Sequence, residues 1–384
     1  MNALSLDLIG AEVLLPQTGL TRARLSISDG LITAHKVGRP VDLSGFLVLP
    51  GIVDIHGDGF ERHLAARRGA MTQMAEGVIA TEAELAANGI TTGVMAQFLS
   101  WEGGIRGPEH AARVFAAIKE VRGWVVTDLI PQLRFETHLL EEYADLPRRI
   151  ADWGVPYVVF NDHLPHDRLA AGRHPPRLTG QALKAGRNPE VHFQMLMALH
   201  ARSAEVPAAL DALCRGLHQQ GVRMGSHDDQ TAQARRDWHA RGVSIAEFPE
   251  TVEAAEAACA DGGAIVLGAP NAVRGGSHKR NVSAGELIAM GLCDALASDY
   301  HYPSPRRAAL MLADTGVTDF AGAWHLVSKG PARVLGLEDR GVLEVGKRAD
   351  LVILDRETHR VAATLAAGRI SYLNGNAASR FIER

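Results

Sequence analysis

Cysteine is scarce in this 384-residue chain. Cys214, Cys259 and Cys293 are its only three, and no two stand in a C-x-x-C pair. That excludes a disulfide framework and suits a reducing compartment. No uninterrupted apolar run approaches the ~18 residues that argue a membrane span. The first residues, MNALSLDLIGAEVLL, lack the basic start of a secretory signal and carry Asp7 and Glu12. The expected setting is the cytoplasm, with no membrane partner. Neither charge sign is in excess: 40 Lys and Arg face 44 Asp and Glu, for a net charge of -4, which argues against a general nucleic-acid binder. No G-x-S-x-G elbow occurs, so a serine hydrolase has no support. The glycines and lysine of GVLEVGKR imitate a phosphate loop, but Arg348 stands where Ser or Thr belongs and a strand follows instead of a helix.

What is present is alternation. Residues 1–49 read as short strands and turns, with Asp29–Gly30 marking a hairpin. After Pro50, apolar strand-like runs alternate with alanine-rich helical stretches, the pattern of a parallel sheet with crossover helices. Eight such strands predict an α/β fold, a (β/α)8 TIM-like barrel. The tail from about residue 340 is β-like again. The expected organisation is a barrel over 50–339 and a small β-sandwich domain built from both chain ends, 1–49 plus 340–384. Residues 164–190 break the alternation and carry Arg168, Arg173, Arg177, Lys184 and Arg187. A long barrel loop of that kind is commonly functional, though a solvated basic surface explains it equally well.

Polar residues fall at the strand ends, which in this barrel surround the active site. The run GIVDIHGD closes on His56 and Asp58, which share a strand face. Glu136 and His138, Asp162 and His163, His227, and Asp299 end later strands. Each has a plainer reading alone: Glu136 pairing with Arg134, His227 structural, Asp299 a helix cap. Several strands ending in the same way favour a common cation. The mixture of imidazole and carboxylate suits a divalent metal, zinc first, with manganese or iron as alternatives.

With PGIVDIHGD, the later histidines and the strand-end aspartate, the chain resembles the amidohydrolase superfamily. The blocks SHDDQT, AEFPETVEAA, GAPNAVRGGSHKRNVSAGEL and GLCDALASDYHYPS resemble its phosphonate-utilisation branch over nearly the whole chain. The resemblance implies one or two metal ions held by His56 and Asp58 of the first strand, Glu136 of the fourth, His163 and His227 of the fifth and sixth, and Asp299 of the eighth. It also implies a catalytic role for Asp299 and substrate contacts from Arg67, Arg274 and His278. The implied substrate is a small phosphorylated molecule, α-D-ribose 1-methylphosphonate 5-triphosphate, cleaved to the 5-phosphate and pyrophosphate. Two segments depart from the branch: Gly57 and Gly59 flank Asp58 where Thr and Asn are usual, and Leu164-Pro165-His166-Asp167 stands where Ser/Thr-Pro-Gly-Gln is usual. The rival reading is therefore a carbon–nitrogen hydrolase with the same ligands. The sequence leaves a homo-oligomer open.

Overall fold

The computed structural model describes residues 3–64, 73–275 and 282–382. Arg67 and His278 lie outside them. Eight strands run parallel and in sequence order: Ile52–Gly57, Ile90–Leu99, Asp128–Glu136, Tyr157–Asn161, Arg223–His227, Ile245–Glu247, Ala264–Gly268 and Ala295–Ala297. The ring closes through a parallel bridge between Gly57 and Asp299. There Asp299 N–H donates to the His56 carbonyl and Asp58 N–H to the Asp299 carbonyl, both at 2.9 Å. The strand interiors are buried on both faces, as continuous runs such as ITTGVMAQFL require. Outside them pack helices such as Met74–Ala87, Pro108–Val121 and Val206–Gln219. The first of these stops at Asn88, and Gly89 follows at φ +83°, a left-handed step that glycine makes without strain.

Both chain ends supply the remaining sheets. One has four strands, all from the first 42 residues; the other has six. In the six-stranded sheet Phe46–Pro50 pairs antiparallel with Leu351–Asp355, which joins the two ends of the chain. Leu6, Leu8, Ile27, Val48, Leu351 and Phe381 belong to the apolar core of this β-sandwich. Asp29 and Gly30 link Leu25–Ser28 to Leu31–Thr33, with positive φ at both turn positions, the geometry of a two-residue type I′ hairpin. The basic stretch is folded: His166–Ala170 and Leu178–Lys184 are helices, and Leu169 and Leu178 pack with Trp101, Phe193 and Leu196. Arg187 is committed to the Trp101 carbonyl at 2.7 Å, whereas Arg168, Arg173, Arg177 and Lys184 face solvent.

The barrel corrects one count. Glu136 ends the third strand, His163 follows the fourth and His227 ends the fifth, one strand earlier in each case than the resemblance implies. The connection from Leu99 to Asp128 holds a short 3₁₀ turn and a helix and supplies no strand. Asp299 follows the eighth strand as expected, and the sixth ends on Glu247.

Candidate metal centre at the barrel mouth

Alternation along the third strand decides what fills the mouth. Gln132, Arg134 and Glu136 are spaced by two, so they share the inward face. Gln132 Nε2 donates to Glu247 Oε1 at 3.1 Å, and Tyr157 O–H donates to the same oxygen at 2.6 Å. The other carboxylate oxygen of Glu247 lies 2.7 Å from His56 Nδ1, both side chains being fully buried. The pair is close enough for charge attraction but off the hydrogen-bond direction, so His56 keeps both ring nitrogens without a hydrogen-bond partner. Burial draws the His56 pKa down, but the Glu247 carboxylate outweighs it and the net shift is upward. Burial pushes Glu247 up, yet the facing His56 and the Tyr157 hydroxyl bring the net shift down.

Above this layer Arg134 spans the mouth. Its guanidinium donates to Asp58 Oδ2 at 3.0 Å and to Asn161 Oδ1 at 3.2 Å, and meets His227 Nε2 at 2.9 Å. It also lies 3.8 Å from the centre of the Phe98 ring. The alternative pairing of Arg134 with Glu136 is therefore not the one formed. Glu136 instead grips His163: it accepts a short bond from the ring Nδ1 and another from the backbone N–H at 3.2 Å. This leaves Nε2 of His163 for any further partner.

Ligand atoms of His56, Asp58 and Asp299 lie within 4.8 Å of one another. So do those of His56, His227 and Glu247, and those of His163, His227 and Asp228. Five of the six residues expected to hold metal thus converge in groups linked through His56 and His227. Glu136 stands behind His163 and outside these groups. Glu247, Asp228 and Arg134 complete the arrangement and were not foreseen, although Glu247 closes the strand-like VSIAEFP and carried the same strand-end signal. The donor set fits a divalent cation: imidazole and carboxylate around His56 and His227, whose orphaned nitrogens are buried.

The backbone at the mouth is unusual. Asp228 and Phe248 follow directly on barrel strands and Asp299 comes one residue later than that after the eighth, and they adopt φ of 58°, 56° and 53°. Such conformations cost non-glycine residues about 1–3 kcal/mol each and collect at functional sites. The first strand also slips register against the second between Asp54 and Gly57, the stretch that aims His56.

Asp299 has its carboxyl pKa pushed up to about 6, by burial first and then by the negative charge of Asp58. In metal-stripped protein the folded state then binds more protons than the unfolded state between the ordinary value of 3.8 and about 6. The stability linked to this group is fully present below the lower value and is lost as pH rises through the upper one, by on the order of 3 kcal/mol. Asp299→Asn cannot ionise, so its stability should lack that falling limb. Urea unfolding of both proteins at about pH 4 and about pH 7 measures the difference.

Beside these groups opens a cavity of about 240 Å³ whose lining includes His227, Asp228, Asn271, Arg274, Asp299 and Tyr300. Arg274 ends the helix Ala269–Arg274, donating to the Tyr300 hydroxyl oxygen at 2.7 Å and to Asn271 Oδ1 at 2.6 Å.

An eight-stranded barrel with ligand-bearing strand ends is the architecture of the amidohydrolases, and residues 58–376 match the amidohydrolase family: the chain belongs to it. Within it, the chain is 33% identical over 352 residues to the alpha-D-ribose 1-methylphosphonate 5-triphosphate diphosphatase of Escherichia coli K12, covering 88% of this chain and 92% of that protein. This places it in the phosphonate-utilisation branch. Solved structures show the same fold at low identity. N-acetylglucosamine-6-phosphate deacetylase from Pasteurella multocida superposes with a TM-score of 0.64 at 11% identity, over 97% of this chain and 100% of that one. A D-aminoacylase gives 0.63 at 14% identity, over 96% of each. No helix among the described residues is long and apolar enough to cross a membrane.

Proposed function

We propose that this hydrolase cleaves α-D-ribose 1-methylphosphonate 5-triphosphate between the α- and β-phosphates, giving the 5-phosphate and pyrophosphate. The observation that carries the reading is likeness to a diphosphatase over 88% of this chain and 92% of that relative. His56, Asp58, His163, His227 and Asp299, with Glu247 and Asp228 beside them, would hold one or two divalent ions, zinc by donor chemistry. When bound, such an ion acidifies water and offsets phosphate charge.

The protein's own groups account for the rest. Asp299, one residue past Ser298 at the mouth and beside Asp58, accepts a proton from the attacking water. The water oxygen bonds to the α-phosphorus as the bond from that phosphorus to the α,β-bridging oxygen breaks. The electron pair leaves with pyrophosphate. Arg134 holds Asp58 and His227 in place from within the mouth. Arg274 on the cavity wall is the described cation suited to bidentate phosphate contact. Incubating the zinc-loaded protein with the ribosyl triphosphate, with a nucleoside triphosphate and with a panel of amides tests the assignment. Pyrophosphate release from the ribosyl triphosphate is expected, and turnover of amides alone would refute it.

A further inference from the structure

A second group of metal-ligating side chains, sharing no residue with the groups linked through His56 and His227, lies where the altered segment after His163 meets the rest of the chain. Ligand atoms of His138, Asp162 and His166 fall within 4.8 Å of one another. His138 stands two residues past the third strand, Asp162 one residue past the fourth, and His166 opens the helix His166–Ala170. His166 Nε2 is 3.0 and 3.1 Å from the two Asp162 carboxylate oxygens, and His138 Nδ1 is 3.4 Å from one of them. Donors at bond lengths of ~2.0–2.1 Å around a tetrahedral zinc stand about 3.3 Å apart.

Proton placement gives the stronger argument. Ser203 O–H donates to the His200 carbonyl at 2.7 Å. The serine hydroxyl has one proton, so toward His138 Nε2, at 3.2 Å, it can only accept. His138 Nε2 therefore carries the hydrogen, and in the neutral ring Nδ1 is a bare lone pair. That lone pair faces the Asp162 carboxylate, which cannot donate to it, and its hydrogen-bond donor in the metal-free protein is the Thr137 hydroxyl at a long 3.3 Å. A cation between imidazole and carboxylate satisfies both. On the other side, His166 Nδ1 lies 2.9 Å from His200 Nδ1. With the hydrogen on His166, His200 accepts it and Nε2 is freed toward Asp162. In that arrangement both rings have the outer hydrogen-bond partner that metal-bound histidines use to fix their tautomer.

We propose that His138, Asp162 and His166 form a second divalent transition-metal site of zinc type, with His200 and Ser203 as its supporting shell. The His138 side chain is 4% exposed, while Asp162 and His166 are 42% and 36% exposed, which gives the ion an entry side and leaves a position open to water. The ion ties the helix Pro189–Ala201, through His200, and the folded excursion before it to the barrel.

Zinc binding to the stripped full-length protein tests this by equilibrium dialysis and metal analysis. The variants are His166→Ala, Asp162→Asn and, at the mouth, His227→Ala, each checked for native circular dichroism. His166→Ala should bind one equivalent fewer than the unaltered protein, and Asp162→Asn should hold that equivalent at least about tenfold more weakly. His227→Ala should retain it. Unchanged stoichiometry and affinity in His166→Ala and Asp162→Asn would overturn the proposal. So would loss of the same equivalent in His227→Ala, which would mean a single shared centre.

Discussion

Asp299→Asn lowers kcat for the ribosyl triphosphate by about 10²–10⁴-fold, the usual contribution of a positioned proton acceptor. The asparagine keeps the shape of the side chain and the backbone bonds to His56 and Asp58 that close the barrel. It loses the capacity to take a proton from water. It also removes one of two neighbouring carboxylates, relieving repulsion with Asp58. The effect should therefore appear in kcat, with KM little changed. His56, His227 and Glu247 stay in place to hold metal, so metal content measured on the same preparation should persist. Turnover close to that of the unaltered protein would end the assignment of Asp299 as proton acceptor.

The barrel was readable because its signals are local. Apolar runs such as ITTGVMAQFL announce strands buried on both faces, and Asp29–Gly30 announces a two-residue hairpin. The strand-end polar residues were readable because period-two alternation places His56 and Asp58 on one face. What escaped was pairwise and long-range. Arg134 has the sequence neighbourhood of a partner for Glu136, yet it reaches Asp58, 76 residues earlier, and His227, 93 residues later. Glu136 is instead taken by His163, 27 residues on. Strand alternation says only that Arg134 and Glu136 face inward; which groups they meet depends on barrel stagger, which no local window contains. The one-strand error in placing Glu136, His163 and His227 has a related origin. A strand number is a property of the whole ring, which likeness to a family does not carry and the chain's own eight apolar runs do.

Glu247 shows what that error concealed, and its replacement should have the largest effect on stability. The residue ends the sixth strand with no exposed surface, and its two oxygens meet His56, Gln132 and Tyr157. Glu247→Ala would leave the buried imidazole of His56, a phenol and an amide facing a cavity without the anion they now share. Removing one partner of a buried charged pair costs about 3–5 kcal/mol, and urea unfolding near neutral pH reads it directly. Glu247→Gln keeps the volume and can still accept from Tyr157, so it should lose less stability. It shares with alanine the loss of negative charge beside His56, whose pKa should then fall in both variants, as imidazole NMR titration of stripped protein can follow. Both should weaken zinc binding at the mouth by about 10–100-fold, the range seen when a supporting group is removed, with more expected if Glu247 itself ligates. An alanine variant within about 1 kcal/mol of the unaltered protein, the ordinary range for single replacements, would mean that water enters to replace the carboxylate. The buried layer of Gln132, Tyr157, Glu247 and His56 would then not be what fixes the floor of the mouth.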